Sequence, residues 1–357
     1  MSIATEITRL NNAKASIKSA IEAKGVEVPQ DAKIDIYADY IAQIPQGGGT
    51  EYEPICFTSL EDGNTFQLNR YFISLEDGNI SQLNREISIS IDGKQTWQTL
   101  AANTNSPVIN TGEKIYFKAA ENATPFSGTT SDYYQFTTAK TCKVSGHPYS
   151  LYAKGSSYFF SNLFKGTKIV NASGLTLDAD TVPAKCYFNM FFNCTSLTIA
   201  PELPATNLDN RCYCQMFKGC TSLVTAPELP ATTLANECYG SMFYGCTSLT
   251  TAPELPATTL ANGCYSFMFE ECTKLTSAPV LPATTLITLC YRSMFYGCLK
   301  LKYIKCLATD ISASDCISGW VTKVASTGTF VKNPSMSSWP TGYSGVPTGW
   351  TVVNYNA

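Results

Sequence analysis

Residues 238–263 read CYGSMFYGCTSLTTAPELPATTLANG, and this stretch decides the fold. Near copies start at 212, 264 and 290, with a weaker one at 186. Cys186, Cys212, Cys238, Cys264, Cys290 and Cys316 stand 26 residues apart, and Cys194, Cys220, Cys246, Cys272 and Cys298 keep the same step. A copy without cysteines runs from Phe159 (FFSNLFKGT), and a fading one begins at Cys316 (CISGWVTKV). A fixed period with decaying end copies is the mark of a stacked array whose terminal units act as caps.

Within the unit, C-x-x-x-M-x-x-x-C places Cys238, Met242 and Cys246 at i, i+4 and i+8, which predicts one face of a short α-helix. Phe243 widens that face, Asn236 is a candidate N-cap, and Gly245 loosens the turn. The stretch 249–255 predicts one short strand bounded by Pro253 or Pro256, since proline lacks the N–H of a central ladder. A single such unit buries nothing, whereas five to seven stacked copies at about 4.8 Å each build a rod of roughly 25–35 Å. The expectation for 159–325 is an α+β solenoid of 26-residue units.

The 357 residues are 44% hydrophobic and 15% charged, a globular composition with room for a sizeable core. The 25 Lys+Arg nearly balance the 28 Asp+Glu, leaving a net charge of -3 and no basic surplus for nucleic acid. No apolar run is long enough for a membrane-spanning helix. The early residues lack the apolar run of a secretory signal, so the sequence predicts a chain kept in a reducing cytoplasm. Fifteen cysteines, an odd number, rule out a complete intramolecular disulfide set. Zinc sites pair ligands as C-x2–4-C, whereas the repeat places seven residues between its cysteines. The favoured reading is therefore ladders of small buried side chains, ahead of occasional disulfides or metal.

The run F-x-G-C-T-S-L-x-x-A followed by L-P resembles the BspA-like leucine-rich repeats of bacterial surface proteins. The resemblance covers about 159–325 and implies a curved solenoid with a strand lining one side, used for binding. The doubled cysteine and the APELPATTLA wording depart from that family.

At the N-terminus, Ile3, Ile7, Leu10, Ile17 and Ile21 form an a/d stripe on a helix over 2–24, ended by Gly25. Three heptads are marginal alone, so the stripe calls for a partner. One partner is the second helix at 34–44, with Ile34, Tyr37, Ile41 and Ile44; the other is a parallel homo-oligomer, for which isoleucine at a and d favours trimers or tetramers. The wording of 2–44 resembles an N-terminal module of bacteriophage tail-fibre and related structural proteins. That resemblance implies docking to other virion proteins and a virion location. A flexible Gly-rich hinge at 47–50 follows.

Residues 51–158 predict a small antiparallel β-sandwich. FTSLEDGNTFQLNR (57–70) is nearly duplicated as FISLEDGNISQLNR (72–85), and each Asp-Gly-Asn signals a hairpin. Further strands are expected at 114–118 and 133–138. The run SIDGKQTW (90–97) resembles an Asp-box hairpin with its glycine one place early, making Asp92 a turn residue. His147, the one histidine, sits before Pro148 and reads as a surface or packing residue. Residues 326–357, with Trp339 and Trp350, predict a cap on the open solenoid end, packed with Trp320.

Chemistry is scarce in this sequence. Phosphate-loop, dinucleotide and nucleophile-elbow motifs do not occur. Glu202, Glu228 and Glu254 recur at the repeat period, which reads as an architectural column, and no catalytic residue, cofactor or metal is expected. Positions that vary between copies mark the face free of packing duty. They nominate Phe188, Lys218, Tyr244, Phe267, Glu270, Arg292 and Tyr296 as a binding face for a host-surface glycan or protein. The expected whole is a non-enzymatic phage tail or head fibre that self-assembles as a homotrimer, without nucleic-acid binding or membrane insertion. A bacterial surface adhesin of the BspA-like type is the alternative.

Overall fold

The computed structural model describes residues 52–73, 80–82, 87–101, 104–119, 132–151, 160–177 and 181–356. The chain forms two compact units, Met1–Tyr52 and Glu53–Ala357, and the described strands all belong to the second. The expected N-terminal helices, with Ile3, Ile7, Leu10, Ile17 and Ile21, and the hinge at 47–50 lie outside the described residues.

The repeats form a β-solenoid, and this overturns the expected α+β leucine-rich architecture. Among the described residues there is no α-helix; one 3-10 turn at Pro148–Leu151 is the sole helical piece. Where a helix was expected, the chain runs as a ribbon of overlapping turns. Residues 237–246 show how. Gly240, Met242, Tyr244 and Cys246 donate their N–H groups three residues back, to Glu237, Tyr239, Ser241 and Phe243. Tyr239, Ser241, Phe243 and Gly245 instead donate to the next coil, to Cys264, Ser266, Met268 and Glu270. Carbonyls alternate the same way, since Cys238, Gly240, Met242 and Tyr244 accept from the preceding coil. Along this stretch the backbone polar groups are paired without any i to i−4 bond.

The ribbon needs a left-handed residue at every fourth position. In this coil those are Glu237, Ser241 and Gly245, at φ of 53°, 54° and 71°. Asn189, Asn193, Gln215, Gly219, Phe267, Glu271, Ser293 and Gly297 repeat the feature in the neighbouring coils. A left-handed residue at every fourth place cannot sit in a right-handed helix.

Each four-residue step buries two adjacent side chains, giving Cys-Tyr, then Met-Phe, then Cys. Copies of each stack in register. The Tyr187, Tyr213, Tyr239, Tyr265 and Tyr291 rings follow one another at 5.6, 5.9, 5.9 and 6.1 Å. Phe191, Phe217, Phe243, Phe269 and Phe295 do so at 5.6, 5.7, 5.7 and 5.7 Å. Phe160 extends the tyrosine column at one end, and Trp320 and Trp339 extend it at the other, giving eight aromatic rungs. The expected tail packing is present, with Trp320 Nε1 donating to Gly345 O at 2.8 Å and Trp350 Nε1 to Ala325 O at 2.7 Å.

The cysteines form buried columns, as read from their spacing. All fifteen are free thiols in the interior. In the second column each thiol contacts a phenylalanine carbonyl of the preceding coil: Cys220 on Phe191, Cys246 on Phe217, Cys272 on Phe243 and Cys298 on Phe269, at 3.0–3.2 Å. A small side chain with a weak donor fits that place.

A parallel wall lines a second side. Its strands follow the strands of the N-terminal sheets, which are β1 (Ile55–Ser59), β2 (Phe66–Ile73), β3 (Ile80–Gln82), β4 (Ile87–Ser90), β5 (Gln98–Leu100), β6 (Lys114–Ala119), β7 (Asp132–Thr138) and β8 (Cys142–Gly146). The solenoid adds β9 (Ile169–Leu175) and, beyond a separate two-stranded parallel sheet of β10 (Thr181–Val182) and β11 (Asn207–Leu208), the strands β12 (Ser277–Leu281), β13 (Tyr303–Cys306), β14 (Thr329–Lys332) and β15 (Thr351–Asn354). β12 to β15 stack in parallel, Ser277 beside Tyr303, Thr329 and Thr351. The strand expected at 249–255, in the APELP wording, shrinks to a bridge between Thr251 and Thr225, whereas the copy with Val280 in place of that glutamate keeps its Pro279 and forms β12. The copies without that wording form the fuller strands.

The N-terminal part is not a separate sandwich. A six-stranded sheet runs β5-β4-β6-β1-β8-β9, and β9 belongs to the first solenoid coil. A three-stranded sheet, β3-β2-β7, covers it, with Phe66 and Phe136 against Phe57 and Phe117. Phe164 of the first coil stacks on Phe136, so one core runs from Ile55 to Trp350. The strands expected at 114–118 and 133–138 are β6 and β7. Of the duplicated segments, the second brackets the β2–β3 hairpin, while the first links β1 and β2 across different sheets.

The ribbon makes a direct prediction. Gly245→Ala places no atom closer than Gly219 Cα at 3.8 Å, so its cost is conformational alone, about 1 kcal/mol. Gly219→Ala drives a methyl into the Asn193 amide and costs more, about 2 kcal/mol. Chemical denaturation of the two variants checks the order.

Candidate functional site

The turn ribbon sets its outward residues in straight columns one coil apart. One column carries Phe192, Lys218, Tyr244, Glu270 and Tyr296, aligned by the bonds of Asn193, Gly219, Gly245 and Glu271 to the next coil. Four nominated residues, Lys218, Tyr244, Glu270 and Tyr296, therefore fall together. Lys165 and Lys323 join the ends, and their step of 27 residues rather than 26 hides them from the repeat.

The column is a ladder of cations and rings. Lys218 Nζ lies 4.2 Å from the centre of the Tyr244 ring and 6.0 Å from that of Phe192. Lys165 Nζ is 5.4 Å from Phe192, and Lys323 Nζ is 5.0 Å from Tyr296. Such contacts contribute about 0.5–1 kcal/mol each at an exposed site. Lysines of the chain itself thus cover part of these ring faces, and the residues of the column are half-buried.

Glu270 occupies the coil between Tyr244 and Tyr296. Burial, then the neighbouring Glu271, raises its carboxyl above the ordinary value, and Lys218 opposes this. Burial, then Glu270 and Glu271, raises the Tyr244 phenol. Hydrogen bonding to Tyr296 raises the Lys323 ammonium. Beside Lys323 lies a hollow of about 340 Å³ lined by Thr322, Ala325, Gly342, Tyr343 and Pro347.

The other nominated residues stand apart from this ladder. Arg292 and Phe267 form their own pair, guanidinium to ring centre 5.4 Å. Phe188 is half-buried at the position that Cys214, Gly240 and Ser266 fill in later coils.

The recurring carboxylates Glu202 and Glu228 border a groove of about 310 Å³ between Pro201, Pro204, Pro227 and Pro230. With Glu254 they are exposed and one coil apart, as a column rather than a converging pair. Among the described residues, no group of three or more His, Cys, Asp or Glu side chains could hold a metal, and no helix is long and apolar enough to cross a membrane.

Asp92 organises a turn, as its motif predicts. Its carboxylate accepts from Ser90 Oγ at 2.7 Å, from the N–H groups of Gln95 and Thr96 at 3.0 Å, and from the Thr96 hydroxyl. The Glu61 carboxylate ties its loop to Thr141 N at 3.0 Å, and Asp62 does the same to Thr111 N at 2.9 Å. His147 Nδ1 accepts from Tyr149 N at 3.2 Å, a loop contact.

The charges and the thiols each carry a prediction. Bonds from Ser90 and Thr96 hold Asp92 well below the usual carboxylate range, and bonds from Thr141 and Thr111 lower Glu61 and Asp62. Depressed folded values mean that this stabilisation is complete above the unfolded value of about 4 and drains as pH falls below it. Asp92→Asn lowers the melting temperature at neutral pH and flattens its acid dependence, as read by calorimetry across pH. Burial pushes the Cys194, Cys238 and Cys246 thiols up to about 12. A disulfide reagent at pH 8 therefore labels the native chain only as fast as it opens, and all fifteen thiols at once in denaturant. Rapid native labelling of the columns contradicts this packing.

No protein-family model, curated protein or solved structure matches the chain.

Proposed function

We propose that the chain is a non-enzymatic fibre protein of a bacteriophage virion that presents its solenoid to a host surface. The observation that carries this reading is the column geometry. Each recurring outward group repeats one coil apart along a line, which suits an extended ligand rather than a reaction centre where groups must converge. The ladder from Lys165 to Lys323 is the binding face of this reading. Its partner is a host-surface glycan or protein that meets tyrosine hydroxyls and alternating charge. The wording of 2–44 supports the virion assignment. The stripe of Ile3, Ile7, Leu10, Ile17 and Ile21 supports assembly as a homotrimer and docking to other virion proteins.

Light scattering of the full chain and of a 51–357 truncation, under reducing conditions, tests the assembly. The expected result is a trimer that becomes a monomer on truncation. A monomer in both cases removes the coiled-coil stripe from the reading. Binding of the full chain to intact bacterial cells tests the face: Tyr244→Ala with Tyr296→Ala is expected to weaken it at least ten-fold. Undiminished binding moves the face elsewhere.

A further inference from the structure

We propose that the open C-terminal edge of the parallel wall pairs with the same edge of a second copy of this chain, β15 antiparallel to β15 about a two-fold axis. The wall has two ends. At the first, β9 is flanked by β8 and by the coil of Ile199, so no edge remains there. At the last, among the described residues, β15 pairs with β14 alone. The tail covers the aromatic column through Trp339 and Gly345 but leaves this strand uncovered.

Backbone alternation shows what the edge offers. Thr351 N donates inward to Gly328 O at 2.9 Å, and Tyr355 N to Lys332 O at 2.7 Å. The N–H and C=O groups of Val352 and Asn354 therefore point outward. All four residues of β15 are exposed, with Val352 at 45% and Val353 at 39%. Edge strands are ordinarily guarded by charge, proline or a bulge. Thr351–Asn354 has none of these.

Closure and charge identify the occupant. Head-to-tail growth needs a free first-coil edge, which β8 occupies. The remaining pairing of copies sets this edge against itself, and a two-fold axis closes it. Such an axis brings each residue near its own kind, so a charged edge repels itself, whereas this one is neutral. One register uses every outward group. Val352 of each copy exchanges both backbone bonds with Asn354 of the other, and the two Val353 side chains meet at the axis. A four-residue pairing buries far less than the roughly 800 Å² per partner of a standard interface. The association is therefore weak and concentration-dependent.

Sedimentation of the full chain from micromolar to near-millimolar concentration tests it. The expected result is a weight-average mass that rises with concentration toward twice its dilute value for the native chain. Val353→Lys sets two ammonium groups face to face and abolishes the rise, with partial recovery at high salt. Val352→Pro removes an outward N–H and weakens it. Val353→Thr keeps the rise. Circular dichroism confirms that the variants fold. Assembly through the N-terminal stripe shifts all four curves alike, so its failure is distinguishable from failure of the edge pairing. A native chain whose mass is constant with concentration, or a Val353→Lys variant that follows the native curve, overturns the proposal.

Discussion

The solenoid depends on one constraint: a backbone that turns this tightly must still pair its polar groups. The ribbon of 237–246 meets it by alternation, one residue bonding locally and the next bonding to the neighbouring coil. Half of the ribbon's N–H groups thus point along the stack, and a single coil leaves them without partners. A buried amide left unpaired costs about 1–3 kcal/mol, so isolated coils do not persist and neighbours stabilise each other. This also explains the ends, where β8 closes the wall at the first coil and Trp339 closes the aromatic column at the last.

The same alternation dictates the core. Buried pairs recur every four residues, and each pair must match its copies above and below. Planar rings satisfy this by offset stacking at 5.6–6.1 Å in the tyrosine column, a geometry that adds about 0.5–1.5 kcal/mol per pair beyond area burial. Where the ribbon doubles back, no ring fits. Cysteine is small enough there, and its S–H reaches a carbonyl of the preceding coil. Burial keeps these thiols protonated, which makes them packing groups rather than nucleophiles or ligands. The eleven column cysteines thus follow from coil number.

The period and the columns were legible in the sequence, but the conformation was not. Cys238, Met242 and Cys246 at i, i+4 and i+8 fit both a helix of 3.6 residues per turn and a ribbon of 4.0, because three points span too little to separate them. The discriminating signals lay beside them. Tyr239 and Phe243 follow the anchors at a strict four-residue step, and glycine recurs before the second cysteine, at Gly219, Gly245 and Gly297. Read as a left-handed requirement rather than as a loosened turn, that glycine excludes a helix. The sheet partnership was hidden for another reason: β8 lies before the first repeat copy at Phe159, so nothing in the repeat marks it as the partner of β9. The alignment of the outward residues was legible in part. Repeat alignment finds Lys218, Tyr244, Glu270 and Tyr296, whereas Lys165 and Lys323 sit one residue out of step.

The ladder also argues how such a surface evolves a specificity without losing its fold. Ribbon backbone bonds do not involve side chains, and the buried columns are filled by residues that face inward. Outward positions such as Lys218, Tyr244 and Glu270 are thus free to vary from coil to coil, provided that each tolerates its neighbours. That proviso is electrostatic. Lysine between rings is attracted to their faces, as at Lys218, while a carboxylate in the column is disfavoured by burial and then by its neighbour Glu271, which together raise the Glu270 carboxyl. In the proposed reading, a cationic group of the partner approaches the coil of Glu270, and anionic groups approach the ends, where Lys165 and Lys323 stand. The sign of that face changes along its length, unlike the uniform column of Glu202, Glu228 and Glu254.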